Sequence, residues 1–408
     1  MKRGIFFVFA TVLLDMLGLG LIAPVLPRLL LQLTGGDGAR TAAIFGIFGT
    51  VFALMQFLCS PLLGVLSDRF GRRPVIVLSN LGLASDYALM ALAPTVRWLF
   101  VGRVISGITS SSMITANAYV ADIAEPEQRA TGFGLLGVAF GLGLIAGPAL
   151  GGLLGGVNPR LPFWFAAVLS LANAIYGFAV LPESLPRKQR RAIVWHRANP
   201  LGSLQLLRSD SRLLGLAMVA FLNTLAGVVL PSIYVLYVSN RYGWNSRDVG
   251  LSLMLLGLCS VLAQAVLVKP MIHFLGERGA MLVGLLCGAF GMALFGMAYT
   301  GTLFLLGIPF IAAWGLAPAA AQSVMTRWVS NSEQGQLQGA LGSLASIAAL
   351  LGPGLFTLIY AQSFHKENFC SLAGTAWLFA MLLLLVTAGL MLRVTEQHAF
   401  KRAELWQE

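Results

Sequence analysis

Two aspartates lie deep within long apolar segments, where a charged side chain is costly. Asp15 is about ten residues into the first segment, or roughly 15 Å at about 1.5 Å per residue, which is near the middle of a hydrocarbon core of about 30 Å. Asp86 lies about as deep in the third segment. A carboxylate at that depth must face water, find a partner or hold a proton. We expect proton uptake and release, with a structural hydrogen bond to another helix as the alternative.

Arg103, in the fourth apolar segment, is the expected partner of these carboxylates. Arginine keeps its charge at any working pH, so it can stabilise the ionised form of Asp86 or Asp15. The alternative is an arginine whose side chain extends to the lipid headgroups.

Proton coupling is also favoured by what the sequence lacks. A phosphate-binding loop needs Lys followed by Ser or Thr after a glycine-rich run, and none of the five lysines is followed by either residue. We therefore expect an ion gradient rather than bound nucleotide as the energy source. We assign no cofactor, no metal and no disulfide.

Composition places these residues in a membrane protein. The chain has 408 residues, of which 57% are hydrophobic and 11% charged, whereas about 25% are charged in soluble proteins. Its mean hydropathy is +0.81. There is room for roughly a dozen spans of about 20 residues and for no separate catalytic domain. The net charge of +11 is interpreted as an excess in cytoplasmic loops rather than as a nucleic-acid site.

The apolar segments predict twelve transmembrane helices in two pseudo-symmetric six-helix bundles, an all-α fold. In residues 137–148, and again in residues 342–353, a glycine lies ten positions before a Gly-Pro pair. The two stretches are about half the chain apart, as expected of a duplicated transporter unit. With both termini on one side, 19 of the 27 basic residues face that side, which the positive-inside rule makes cytoplasmic.

The predicted parts are an N-terminal bundle (1–182), a cytoplasmic central loop (183–212), a C-terminal bundle (213–395) and a cytoplasmic tail (396–408). The predicted spans cover residues 5–33, 42–66, 75–95, 98–121, 131–156, 161–181, 213–238, 248–271, 279–298, 301–326, 336–361 and 372–393.

A charged turn joins the second and third segments. Its glycines allow close helix approach and a tight turn, and Asp68 can cap the next helix or pair with a basic group on a neighbouring span. We expect a gating loop that holds one conformation; the alternative is a basic loop that only sets topology. Its residues are Gly64, Asp68, Arg69, Gly71, Arg72 and Arg73.

This loop resembles the signature loop of the major facilitator superfamily. Residues 143–152 resemble its span-five antiporter motif, with Gly143, Gly147, Pro148, Gly151 and Gly152. Over nearly its whole length the chain is similar to the tetracycline/proton antiporter branch. That resemblance implies twelve helices that alternate between inward and outward openings and exchange a drug for protons. It also implies that Asp15, Asp86 and Arg103 are membrane charges and that Gln56 and Gln264 lie near the substrate cavity.

Two positions depart from that branch. Its intramembrane histidine falls on Ser260 and its span-nine aspartate on Gly288. Neither residue titrates, so we expect coupling to rest on Asp15 and Asp86 and the substrate not to need the lost groups. The residues expected at the substrate cavity are Gln56, Met113, Asn223, Ser260, Gln264, Trp314 and Gln322; Phe57, Thr224 and Met325 are further candidates.

The leading hypothesis is a proton-coupled exporter of amphipathic small molecules, a non-enzymatic protein of the bacterial inner membrane that works as a monomer with both termini in the cytoplasm. Its partners are protons, the substrate and lipid, without nucleic acid. A proton-coupled symporter for a polar metabolite and a non-transporting receptor or scaffold on the same fold are the alternatives.

Overall fold

The computed structural model describes residues 2–110, 112–123, 129–185, 190, 211–328, 334–363 and 374–405. Across these ranges the regular structure is helical. Side chains are described for most of them, but not for residues 2–5, 112–114, 129–132, 211–212, 327–328, 334–336 and 395–405. Most of the predicted central loop lies outside the described residues.

Sixteen helices occupy the described part of the chain. They are α1 Lys2–Ile22, α2 Leu26–Leu33, α3 Gly38–Phe70, α4 Arg72–Leu92, α5 Val96–Thr109, α6 Ser112–Ile123, α7 Arg129–Val157, α8 Leu161–Ala179, α9 Ser211–Gly227, α10 Val229–Tyr242, α11 Ser246–Met297, α12 Gly301–Leu305, α13 Ile308–Ala313, α14 Leu316–Trp328, α15 Gln334–Gln362 and α16 Thr375–Leu405.

These helices supply the twelve predicted spans. Ten helical stretches in the described ranges are long and apolar enough to cross a membrane. One of them, α11, has 52 residues and is interrupted at Gly276, where φ is 68° and ψ is 174°, so it contains two spans. The helices α5 and α6, separated at Ser110, form one more span. The division of α11 adds one span to the ten, and the pair of α5 and α6 adds another, which gives the twelve spans predicted.

Several spans expected to be continuous are broken helices. The segment predicted at 5–33 divides into α1 and α2, 98–121 into α5 and α6, and 213–238 into α9 and α10, while 301–326 contains three helices. Proline explains several of these breaks, because it lacks a backbone N–H and fits only the first turn of a helix. Pro27 and Pro309 occupy that position in α2 and α13.

The chain forms two compact units. The first comprises the described residues within Met1–Asn199 and Val238–Met254, and the second those within Pro200–Tyr237 and Leu255–Glu408. In the first unit, α1 packs against α7 and α8, while α4 packs against α5 and α8. The bundle boundaries predicted from the sequence remain a prediction.

Glycines set the closeness of α1 and α7 in the first unit. A Cβ atom added at Gly147 would lie 2.7 Å from the Cα atom of Gly20, and one added at Gly143 would lie 2.9 Å from the backbone nitrogen of Leu17. Only glycine permits such backbone contact. Gly151 packs in the same way against Leu21, whereas Gly152 packs against Gly250. Four glycines of the span-five motif thus serve helix packing, and Pro148 lies within the same helix.

The core of the second unit is aromatic. Tyr234, Tyr237, Phe295, Phe304 and Trp377 are all buried, and the rings of Phe295 and Phe304 stack with centroids 3.9 Å apart. The Tyr237 hydroxyl donates a hydrogen bond of 3.0 Å to the Phe295 carbonyl. This contact provides one of the buried tyrosine hydroxyls with a partner.

Replacing Gly147 by alanine should destabilise the protein. The added methyl group would meet the backbone of α1, which cannot move aside cheaply, so we expect a loss on the order of 1–3 kcal/mol and a lower melting temperature in detergent. Gly137→Ala is the matched control on α7, because its Cβ atom would meet nothing within 4 Å and alanine favours helix. Equal melting temperatures for the two variants would contradict the packing role.

Candidate functional site

Asp86 and Arg103 form an ion pair inside the first unit. The Arg103 Nη2 atom lies 3.5 Å from the Asp86 Oδ2 atom, and the side chains are 14% and 0% exposed. Gly102 brings α5 close to α4 here, since a Cβ atom at this position would lie 2.6 Å from the Asp86 carboxylate. The guanidinium group also lies over the Phe52 ring, 5.7 Å from its centroid. The partnership expected between these two residues is therefore present.

Asp15 belongs to a buried polar cluster of the same unit. The Asn173 side-chain amide donates hydrogen bonds to the Asp15 carboxylate (2.9 Å), to the Thr11 carbonyl (3.0 Å) and to the Asn80 side chain (3.3 Å). All four side chains are buried. Arg103 pairs with Asp86, and Asn173 supplies the donor to Asp15.

Sequence reasoning missed Asn80 and Asn173. Each is a polar residue in the interior of an apolar helix, α4 or α8 respectively, and this is the signal that identified Asp15 and Asp86. The prediction for the first unit was based on ionisable residues and therefore did not include these two amides. Only the packing of α1 against α8 and of α4 against α8 brings these side chains together.

Arg72 is the centre of the charged turn. Its guanidinium group pairs with Asp68 at 2.7 Å and with Asp122 at 3.0 Å, and it donates to the Ser67 hydroxyl at 2.5 Å. The backbone N–H of Arg72 donates to the Glu183 carboxylate at 2.9 Å. The turn therefore binds the end of α6 and the residues after α8.

This arrangement corrects two expectations about the turn. Asp68 does not cap α4, because the Glu183 carboxylate accepts from the first N–H of that helix; Asp68 instead pairs with Arg72, a basic group in the first turn of the neighbouring span α4, as the alternative expectation had it. A Cβ atom at Gly64 would meet no described atom within 4 Å, so the close approach expected there is not found. The tight turn is present at Gly71, where φ is 110°, a value that favours glycine.

The other two arginines of the turn differ in their surroundings. Arg73 donates to the Phe178 carbonyl, and its guanidinium group lies 5.5 Å from the centroid of the Phe178 ring. Arg69, at the end of α3, is exposed.

A cavity of about 200 Å³ lies within the second unit. Two of the predicted substrate residues, Asn223 and Gln322, line it, together with Thr224 and Met325. Trp314 contacts this lining, because its indole N–H donates a hydrogen bond of 2.7 Å to the Asn223 carbonyl oxygen.

Gln56, Ser260 and Gln264 are not part of this lining, and their place at a substrate cavity stays a prediction. The Ser260 hydroxyl donates to the Leu256 carbonyl of its own helix, and Gln264 lies beside Gly315. Gln56, in the first unit, donates to the Ser110 carbonyl at 3.2 Å. The Met113 side chain lies outside the described residues.

Replacing Arg72 by alanine should destabilise the first unit. The change removes the partner of Asp68, Asp122 and Ser67, so we expect a loss on the order of 2–3 kcal/mol, measured as a lower melting temperature of the purified protein. Arg69→Ala is the matched control from the same turn, and its exposed side chain should contribute little. A melting temperature lowered equally by both changes would indicate a general charge effect and contradict the network.

The chain matches the family model of the Major Facilitator Superfamily over residues 8–268 and 216–407. It is 39% identical to the tetracycline resistance protein, class C, of Escherichia coli over 379 residues, covering 93% of this chain and 94% of that protein. It is 36% identical to the class B protein of the same organism over 354 residues, 86% of this chain and 87% of that one.

Solved structures show the same fold. The human organic anion transporter MFSD10 superposes with a TM-score of 0.70 at 27% identity, covering 96% of this chain and 99% of that one. A bacterial homologue of the human lysosomal transporter Spinster, in an inward-facing conformation, superposes with a TM-score of 0.77 at 16% identity, covering 97% of each chain. Together with the twelve spans and the two compact units, these matches establish that the chain belongs to the major facilitator superfamily.

Proposed function

We propose that this protein is a proton-coupled antiporter that exports amphipathic small molecules by alternating access. The observation that carries the proposal is the Asp86–Arg103 pair, in which a fully buried carboxylate has one basic partner at 3.5 Å. Burial of such a pair is costly and gives little net stability. A role in binding and releasing protons accounts for its presence in an apolar bundle.

The pair couples protonation to packing of the first unit. Ionised Asp86 attracts Arg103 and holds α5 against α4. When Asp86 binds a proton that attraction is lost, while Arg103 keeps its charge and needs another partner. A change in protonation at one carboxylate thus alters the relative stability of two arrangements of the same helices, as alternating access requires.

Asp15 provides a second protonation site in the proposal. Its carboxylate is buried and accepts a hydrogen bond from the Asn173 side-chain amide. The Arg72 network is proposed as the gate, since it joins the turn after α3 to Asp122 and Glu183 through contacts that must break together. Because ionic contacts of this kind have a discrete broken state, they suit a switch.

The names of the bacterial relatives support export of a drug-like molecule, and we propose the bacterial inner membrane as the location, with both termini in the cytoplasm and the monomer as the working unit. This chain has Ser260 and Gly288 where that branch carries titratable residues. We therefore propose amphipathic small molecules as the substrate class and include tetracycline as one compound to be tested.

Asp86→Asn should abolish proton-coupled export. The amide has nearly the shape of the carboxylate but cannot exchange a proton, so adding a substrate to acidified everted vesicles should no longer release protons. A pH-sensitive dye reports the release, with a drug panel that includes tetracycline, and immunoblotting reports the protein level.

Asp248→Asn is the control for this experiment, because Asp248 is exposed and the same chemical change there should leave the dye signal intact. Drug-dependent proton release that persists in the Asp86→Asn vesicles would refute the coupling assignment. A drug gradient that forms with proton flux in the same direction would favour the symporter.

A reporter fused after Glu408 should detect the cytoplasmic side. Green fluorescent protein at this position should fluoresce, and alkaline phosphatase at the same position should be inactive, because the first folds in the cytoplasm and the second requires the periplasm. Reporters fused after residue 36, between the first two spans, should give the opposite pair of signals. A periplasmic signal at both fusion points would contradict the proposed topology.

A further inference from the structure

The cavity of the second unit is lined by uncharged groups. None of the described residues that line it carries a charge, and its polar side chains are Asn223, Thr224 and Gln322. An ion placed in such a site without a counter-charge loses hydration energy that nothing in the wall replaces. The cavity therefore selects against a ligand group that is charged. Its volume of about 200 Å³ is below the roughly 300–1,000 Å³ of sites that enclose a drug-sized ligand, so it suits part of such a molecule.

The hydrogen bonds in its wall determine what the cavity offers. An indole N–H can only donate, so the Asn223 atom that faces the Trp314 nitrogen at 2.7 Å is the carbonyl oxygen. This assignment leaves the Asn223 amide NH₂ as the group available to a ligand. The Thr224 hydroxyl donates to the Ala220 carbonyl of its own helix at 2.8 Å, so its hydrogen is already used. The cavity thus presents the oriented Asn223 donor beside the Gln322 amide, which can donate or accept, in an otherwise largely apolar wall.

Trp314 occupies a slot that two glycines leave open. A Cβ atom at Gly288 would lie 2.6 Å from the Cγ atom of the indole, and one at Gly227 would lie 3.0 Å from its Cη2 atom. Real Cβ atoms do not approach a ring that closely, so a side chain at residue 288 and the indole in its present position exclude each other. Trp314, which orients Asn223, can therefore keep this position only if residue 288 has no side chain, and hence no carboxylate.

We propose that this cavity is a substrate subsite for an uncharged part of the exported molecule that carries a hydrogen-bond acceptor, such as a carbonyl or nitro group. Trp314 is the specificity-determining residue: it orients the Asn223 amide towards the ligand and occupies the space that a carboxylate at residue 288 would need. The inference rests on the proposed function for the direction of transport, but the binding it predicts needs no proton gradient.

Equilibrium binding to the full-length protein in lipid nanodiscs tests the subsite. The probes are radiolabelled chloramphenicol, which is uncharged and carries amide and nitro acceptors, and ethidium, which is a permanent cation. Chloramphenicol should bind saturably, and a large excess of ethidium should not displace it. Trp314→Phe, which keeps a ring but removes the indole N–H, should weaken chloramphenicol binding about tenfold, because Asn223 loses the bond that orients it.

Trp377→Phe is the matched control. Trp377 is a buried tryptophan of the same unit, packed in the aromatic cluster, and its indole nitrogen has no hydrogen-bond partner among the described residues. This change should leave chloramphenicol binding unaltered. The double variant Gly288→Asp with Trp314→Ala should bind ethidium at least tenfold more tightly than the parent, because it places a carboxylate where the indole was.

Three results would overturn the subsite: no saturable chloramphenicol binding to folded protein, equal weakening by Trp314→Phe and Trp377→Phe, or displacement of chloramphenicol by ethidium in the parent. Binding to the parent protein and proton release from vesicles separate this inference from the proposed function, because the binding measurement needs no proton gradient. Intact binding together with drug-dependent proton release that persists in Asp86→Asn vesicles would refute the coupling assignment and leave the subsite standing. If the parent shows no saturable chloramphenicol binding, while other compounds release protons from parent vesicles but not from Asp86→Asn vesicles, the subsite is overturned and the coupling assignment stands.

Discussion

The cost of charge and of unpaired polar groups in an apolar interior governs this structure. In the first unit the buried Asp86 carboxylate is placed beside Arg103, and the buried Asp15 carboxylate receives a hydrogen bond from Asn173. Each arrangement requires side chains from two helices at one depth. The bundle must therefore pack in a particular register, and any motion that separates these helices changes the energy of a charge.

Glycine makes this register possible where helices must approach closely. Gly102 brings α5 to the Asp86 carboxylate, and Gly147 brings α7 into contact with the backbone of α1, the helix that carries Asp15. Apolar side chains alone provide little specificity in lipid, because hydrocarbon solvates them as well as another helix does. Close backbone contact and a few buried polar bonds provide it instead. Packing glycines and buried carboxylates are thus parts of one arrangement.

The second unit meets the same constraint by a different route. Its cavity is lined by amide, hydroxyl and apolar groups, and the indole of Trp314 lies where a side chain at residue 288 would project. This uncharged ring occupies the space that a charged side chain at residue 288 would need. In the proposed function this separation of roles places proton binding in the first unit and recognition of an uncharged ligand group in the second.

The sequence by itself determined the twelve spans, the two membrane aspartates with their arginine, and the charged turn, because hydrophobic length and the rarity of intramembrane charge are read directly from composition. It did not determine the breaks within spans or the partners of each polar group. Asn173, Asp122 and Glu183 were not foreseen as partners of the buried charges. Partners of this kind are far apart in the chain, and helix rotation and packing decide which face each residue presents. Gly288 shows the difference most directly: in the sequence it is a glycine within an apolar segment, whereas the tertiary structure shows the indole of Trp314 in the space that a side chain at residue 288 would need.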